Sequence, residues 1–468
     1  MITRVGPAAP ERGPHVVALD GALVTPAFVD AHVHATATGL LADGLDLTAC
    51  PGPRALLDAV AARVAARPGA LVWGHGWQDQ DWPDGPPTRA ALDRAAAGAP
   101  VYLSRIDVHS ALASTALLDR APAVTGAAGW SDGPLTGDAH HHARRAALDA
   151  VDDTTRDAAQ RTFLAAAAAH GIGAVHECAG PDISSVADLA ALRRRPGPDV
   201  IGYWGEAVTT VADARALLGA TGAHGLAGDL FVDGSIGSRT AALAAPYTDA
   251  PGCTGNRYLD ADAVAAHVVA CTQAGTQAGF HVIGDAAAQV FVQGLERAAA
   301  AAGPEAVRAA RHRVEHLELV DADQIAALAR LGVTASVQPL FDALWGGPAG
   351  MYAERLGARA AGMNPFAALH AAGVRLALGS DAPVTPLGPW AAVHAAVAHR
   401  TPGSGLTRAQ AVHAHTVGGH RAAGDADPLA GRLVVGAPAS YAVWEGERCL
   451  RTVQRGATLH DTLQSTAG

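Results

Sequence analysis

Eight short β-rich runs alternate with alanine-rich helical stretches along most of this chain, and that alternation restricts it to parallel βα units. Strands are expected near 27–34, 171–178, 199–204, 229–233, 277–283, 312–317, 333–338 and 375–381. Helices are expected near 155–170, 183–195, 209–219, 260–276, 285–302, 321–331, 363–372 and 406–417. Eight strands alternating with helices is the count of an α/β fold of the closed (β/α)8 TIM type, whose active site forms at the C-terminal strand ends. The 468 residues suit such a barrel with insertions, and an apolar fraction of 49% supplies its core. Aromatics are only 4%, so alanine-lined, closely packed helices carry much of that core.

One spacing breaks the pattern. About 135 residues separate the first two strands, so residues 44–150 read as an inserted subdomain within a barrel of residues 27–420. The first βα loop emerges at the barrel mouth, which places the insertion over the site as a lid, a selectivity element or a structural cap. It contains strand-like runs at Ala70–Trp73 and Val101–Ile106, and a Pro/Asp/Gly-rich loop at Asp79–Pro87. Residues 1–26 and 421–468 form a small β unit in this reading, with a hairpin over Val16–Val24 turning at Asp20-Gly21.

Composition then removes function classes. The formal charge of −10 comes from 44 acidic and 34 basic residues without long single-sign runs, so no nucleic acid partner is expected. The N-terminus lacks the apolar core of a signal peptide, and the alanine runs near 164–175 are too short and weakly hydrophobic to span a bilayer. Five scattered cysteines form no CxxC pair, which argues against a disulfide framework or a cysteine zinc site. The expected setting is a reducing cytoplasm, with no membrane partner; a homo-oligomer is left open. No lysine occurs anywhere, which excludes Schiff-base and pyridoxal-phosphate chemistry, a P-loop clamp and a carboxylated lysine between two metals.

Candidate ligands gather at strand ends. His32 and His34 lie at i and i+2 in Ala31-His-Val-His34, so both imidazoles point to one face of a strand. By the same parity His281, His316 and Asp381 take the last inward positions of three further strands. Imidazole and carboxylate ligands suit Zn²⁺, with Fe²⁺ or Mn²⁺ as alternatives, in one or two ions. A cation held there lowers the pKa of its water far below the bulk value, to about 7, and polarises a carbonyl. Asp381 would accept the proton and pass it to a leaving nitrogen, while His316 ligates a second metal or orients the water.

These segments resemble the amidohydrolase superfamily, and in particular the YtcJ-like branch that includes N-substituted formamide deformylases. The resemblance rests on Thr25–His34, Trp73-Gly-His-Gly-Trp77, Asp233-Gly-Ser-Ile-Gly-Ser-Arg-Thr240, His281-Val-Ile-Gly-Asp285, Val314-Glu-His316, Ser336-Val-Gln-Pro339 and Gly379-Ser-Asp-Ala-Pro-Val384. It implies a metal-dependent hydrolase of a C–N bond, an amide or N-formyl amide, acting on a small-molecule amide substrate. A cyclic amidine deaminase and a non-catalytic barrel that keeps the metal site are the alternatives.

Where relatives commonly carry lysine before the Asp-Gly-Ser loop, this chain has Asp229, whose short side chain argues against direct replacement as a bridge. Glu177, at the end of Gly173-Ala-Val-His-Glu177, is expected to take that ligand role. Without a long bridging group, a mononuclear site of His32, His34, His281 and Asp381 is favoured. Arg239 in its glycine-flanked loop is a candidate partner for a substrate carboxylate. His109 and Trp77 are candidate substrate contacts from the insertion, and His140-His141-His142 reads as a solvated loop.

Overall fold

In the computed structural model, which describes residues 1–6, 19 and 21–463, seven parallel strands lie in two sheets. Phe28–Val33, Ile172–Ala179 and Asp199–Trp204 form one parallel sheet. Gly279–Val282, Arg313–His316, Thr334–Val337 and Arg375–Leu378 form another. The strand expected at 229–233 is absent as a regular element. In its place, isolated parallel bridges join Tyr203 to Gly225, Leu226 to Ala278 and Phe231 to His281. Gly228 explains the break: its φ of +84° turns the backbone out of the extended path between Leu226 and Leu230. Val33 also bridges Ala382, so each sheet is tied to the other on both flanks.

Helices cover these strands where capping chemistry allows. Asp152 caps Asp153–Ala169 by accepting from Thr155 N–H at 2.7 Å, and Asp260 caps Ala261–Ala274 in the same way. Asp321 and Gln324 form a reciprocal capping box at the start of Ala322–Leu331, which ends at left-handed Gly332. Phe280, Val314, Ala335 and Leu376 on the strands pack against Phe291, Leu295 and Leu328 of the helices in the main core.

Between Leu45 and Thr136 runs a separate five-stranded mixed sheet with its own core, including Leu56, Val60, Trp77, Leu92 and Leu103. A four-stranded antiparallel sheet joins Leu23–Pro26 to Tyr441–Glu445, Arg448–Gln454 and Ala457–Asp461. Most of the anticipated Val16–Val24 hairpin, including Asp20, lies outside the described residues. The histidine triplet is not a loop. It belongs to the helix Gly137–Asp149, whose alanines 139, 143, 146 and 147 pack on Tyr102, Leu117 and Leu135 and so bury His140 and His141. No helix among the described residues is long and apolar enough to cross a membrane, and the five cysteines are unpaired.

Candidate metal centre

Four side chains from three separate stretches meet at one point. His32 Nε2 stands 3.4 Å from Asp229 Oδ1 and 3.4 Å from Asp381 Oδ1. His34 Nε2 stands 3.2 Å from Asp229 Oδ2 and 3.1 Å from Asp381 Oδ1. His316 Nε2 lies 3.9 Å from Asp229 Oδ1, and the His281 ring packs 4.4 Å from that of His316. All six residues are buried.

Two close backbone approaches build this geometry. A Cβ on Gly379 would lie 2.6 Å from His32 N, so only glycine lets the end of the Arg375–Leu378 strand press against Phe28–Val33 and deliver Asp381. A Cβ on Gly205 would lie 2.7 Å from the carbonyl carbon of Asp229, so glycine there admits the irregular 225–232 segment. That second contact corrects the expectation for Asp229. The backbone, rather than the side chain, covers the distance to the centre, and a short carboxylate suffices.

The left-handed region supplies the remaining aim. His316 has φ +70° and Asp381 φ +55°, both uncommon for residues with a Cβ. Strand parity alone puts Glu315, not His316, on the inner face; His316 reaches the centre because its backbone leaves the β region at the strand end. Likewise a register shift between Asp30 and Val33 separates the histidine pair from Phe28, which packs on Trp390, His415 and Trp444.

Hydrogen bonds identify the free nitrogen on two rings. Glu315 Oε2 sits 2.9 Å from His32 Nδ1, and a carboxylate only accepts, so Nδ1–H donates and Nε2 is the nitrogen turned to the centre, open to an ion once it gives up its proton. Gln338 Oε1 accepts from His316 Nδ1 at 2.7 Å, which leaves Nε2 of His316 as the lone-pair nitrogen. Glu315 is in turn clamped by Arg313, through Nε at 2.6 Å and Nη2 at 2.9 Å. Burial works to raise the Glu315 pKa, but Arg313 and His32 hold it down at about 2. Sequence reading missed Glu315 and Arg313, although both lie on the inward parity of their strand.

The electrostatics describe a cation site carrying protons instead. Burial opposes charge on His34, yet Asp229 and Asp381 raise its pKa to about 9. His32 is likewise held well above its usual value against burial, and both carboxylates are held below theirs by the two imidazoles despite burial. His316 is pushed down to about 3 by burial and by the neighbouring His281 and His32, so it stays neutral. His32 Nε2, Asp229 Oδ1 and Asp381 Oδ1 are buried without hydrogen-bond partners. Four ligand atoms about 2.1 Å from one tetrahedral ion stand roughly 3.4 Å apart, close to the 3.1–3.4 Å that separates the two imidazole nitrogens from the carboxylate oxygens of Asp229 and Asp381. Mixed nitrogen and oxygen donors at that spacing fit a divalent transition metal.

The other anticipated residues fall differently. Glu177 does not join the cluster: its carboxylate accepts from Ala35 N–H at 2.8 Å, serving the first turn of the helix after His34, and burial lifts its pKa to about 7. Arg239 is not free for substrate, because its guanidinium pairs with Asp249. Trp77 is a core residue, donating from Nε1 to Leu103 O and stacking on Trp82. His109 does reach the centre, its ring 4.9 Å from that of His281. His141 and Arg144, three residues apart on one helix, line the same recess; the sequence reading puts His141 in a solvated loop and does not single out Arg144.

The amidohydrolase family model matches residues 15–462. YtcJ of Bacillus subtilis (strain 168) is 28% identical over 414 residues, 82% of this chain and 75% of that protein. LONG AFTER FAR-RED 3 of Arabidopsis thaliana is 26% identical over 418 residues, 81% and 69% of the two chains. Among solved structures, an uncharacterized metal-dependent hydrolase from Pyrococcus furiosus matches with a TM-score of 0.69 at 25% identity, covering 91% of this chain and 87% of its own. A second, from Pyrococcus horikoshii OT3, shares the fold with a TM-score of 0.71 at 24% identity over 94% and 89%. With the family model spanning nearly the whole length and YtcJ aligned over four-fifths of it, this chain belongs to the amidohydrolase family, in the branch of YtcJ, and is a hydrolase.

Proposed function

We propose that the bond cleaved is a C–N bond, in an amide or N-formyl amide, and that one divalent ion, Zn²⁺ in the first instance, is held by His32, His34, Asp229 and Asp381. The observation that carries the reading is the set of three unpartnered buried atoms, on His32, Asp229 and Asp381, meeting at ligand spacing. We also read the two parallel sheets as one closed (β/α)8 barrel with the 225–232 segment as its irregular stave, and residues 44–150 as an insertion over its mouth.

An ion bound there supplies Lewis acidity for the carbonyl and makes its water a stronger acid. The chain's own groups do the rest. Asp381, held ionised, takes the proton from the attacking water on the carboxylate oxygen that is not turned to the ion and returns it to the leaving nitrogen. His316 acts as an acceptor, since Gln338 fixes its proton on Nδ1, and so orients water rather than donating to an oxyanion. Asp381 N–H donates to His32 O at 2.8 Å, which fixes the base relative to the ligand pair.

Elemental analysis paired with Asp381→Asn tests this. We expect at least one transition metal per purified chain, amine and acid products from an amide panel, and a folded variant with turnover down by 10² or more. A fully active variant removes Asp381 from the chemistry, and release of ammonia alone replaces the amide reading with deamination.

A further inference from the structure

Four arginines are buried among the described residues: Arg105, Arg144, Arg313 and Arg355. Three have carboxylate partners. Arg105 pairs with Asp79 and Asp107, Arg313 with Glu315, and Arg355 with Asp249 and Glu354. Arg144 makes no ion pair among the described residues; its hydrogen bonds go to the backbone carbonyls of Val108, at 2.6 Å, and Asp182, at 3.4 Å. An arginine cannot shed its proton to escape burial, and a buried cation without a counter-charge is costly. Of its neighbours, His140 and His141 are buried and neutral, held below their usual values by burial and by Arg144 itself, and the Asp182 carboxylate is paired with Arg145.

Position turns this imbalance into a function. Arg144 lines the recess over the metal centre, together with His34, Asp229, His281, His316 and Asp381. A second recess shares His281, His316 and Asp381 with the centre, and Ile236, Ile283, Phe341, Trp345, Met351 and Val384 form an apolar side of it, opposite polar groups that include Glu318 and Tyr352. The centre therefore adjoins one cationic wall and one apolar wall.

We propose that the substrate is an anionic amide, with a carboxylate received by Arg144 and an apolar or aromatic arm seated against Phe341 and Trp345. The class is an N-acyl amino acid or a close relative. This deepens the hydrolase reading and rests on it. The guanidinium replaces the role first sought in Arg239, whose charge Asp249 already neutralises. Its planar fork suits a two-point carboxylate contact, and substrate binding supplies the missing counter-ion.

A purely structural Arg144 would also hold Val108, whose φ of +50° is strained for a β-branched residue. The test separates the two roles by charge. N-benzoylglycine and its neutral carboxamide are titrated calorimetrically against the zinc-loaded full chain, Arg144→Met and Arg144→Lys. We expect the acid to bind the native chain at least tenfold more tightly than the amide, the ratio to fall to about one in Arg144→Met, and an intermediate ratio in Arg144→Lys. Equal binding of both probes to the native chain, or no binding of either, overturns the proposal. So does a preference that survives in Arg144→Met at unchanged zinc content, which would assign the carboxylate to the metal. If Arg144→Met does not fold, Arg144→Lys decides by whether the preference drops. Hydrolysis of the same acid is followed separately: intact charge preference without cleavage refutes the C–N reading and leaves the carboxylate site standing.

Discussion

Replacing Glu315 with glutamine should damage stability and metal affinity together, for two separable reasons. The native carboxylate is fully buried and accepts from Arg313 Nε at 2.6 Å, Arg313 Nη2 at 2.9 Å and His32 Nδ1 at 2.9 Å. Glutamine keeps the shape but turns one oxygen into an NH2 group, so in either orientation a donor faces a donor. It also leaves the Arg313 charge buried without its partner, a loss of about 3–5 kcal/mol. Arg313 keeps its contacts to Ala31 O at 2.8 Å, to His176 and to the face of Tyr203, so the lower end, about 3 kcal/mol, is expected. Against a total stability of about 5–15 kcal/mol the variant still folds. Its His32 ring loses the group that sets its tautomer, which should weaken metal binding about 10–100-fold. Denaturant unfolding of the metal-free protein measures the first effect and chelator competition the second. The double variant Arg313→Met/Glu315→Leu separates them: it should recover stability by removing both charges, yet keep the weak metal binding. A Glu315→Gln protein within about 1 kcal/mol of native, binding metal within threefold of native, would refute this account of the pair and of His32.

Gly205→Ala should push Asp229 outward, because its Cβ would meet Asp229 backbone at 2.7 and 2.8 Å; a cost of about 1–3 kcal/mol and a fall in bound metal per chain are expected, and a fully loaded variant with native melting refutes the steric argument. Metal binding should release protons, since an ion must displace those held on His32 and His34. The sign follows from the raised value on His34. Its contribution to metal-free stability is complete below pH 6.5 and lost as pH rises through about 9, whereas metal affinity climbs over that interval and then levels. One or two displaced protons give a slope of about 10–100-fold per pH unit, measurable by chelator competition between pH 6.5 and 9; a flat profile would mean the imidazoles are already neutral.

What the sequence discloses here is order and period, and what it hides is the path of irregular backbone. The histidine pair, His281 and Asp381 were legible because each closes an apolar run, and run ends on parallel strands share one end of the sheet. The same parity argument named His316 for the wrong reason. The inward residue of Arg313–His316 is Glu315, and His316 joins the centre only through φ +70°, which no propensity encodes. Side-chain length argues against Asp229 as a bridge, an argument that holds only if 229–233 is a strand with a fixed distance to the centre. Gly228 and Gly205 remove that condition: one bends the segment and the other makes room for it. Arginine reading failed similarly, because the fate of Arg239 depends on Asp249, brought to it by a loop, and that of Arg144 on a helix whose alanine face had been overlooked. The misplaced roles thus fall where φ turns positive, where a glycine admits a close approach, or where a loop supplies the partner. Left-handed residues and tight contacts of this kind persist only when surrounding structure over-determines them, and they gather at functional sites. A site assembled from strand ends by such devices shows which residue types will gather before it shows which of them will touch.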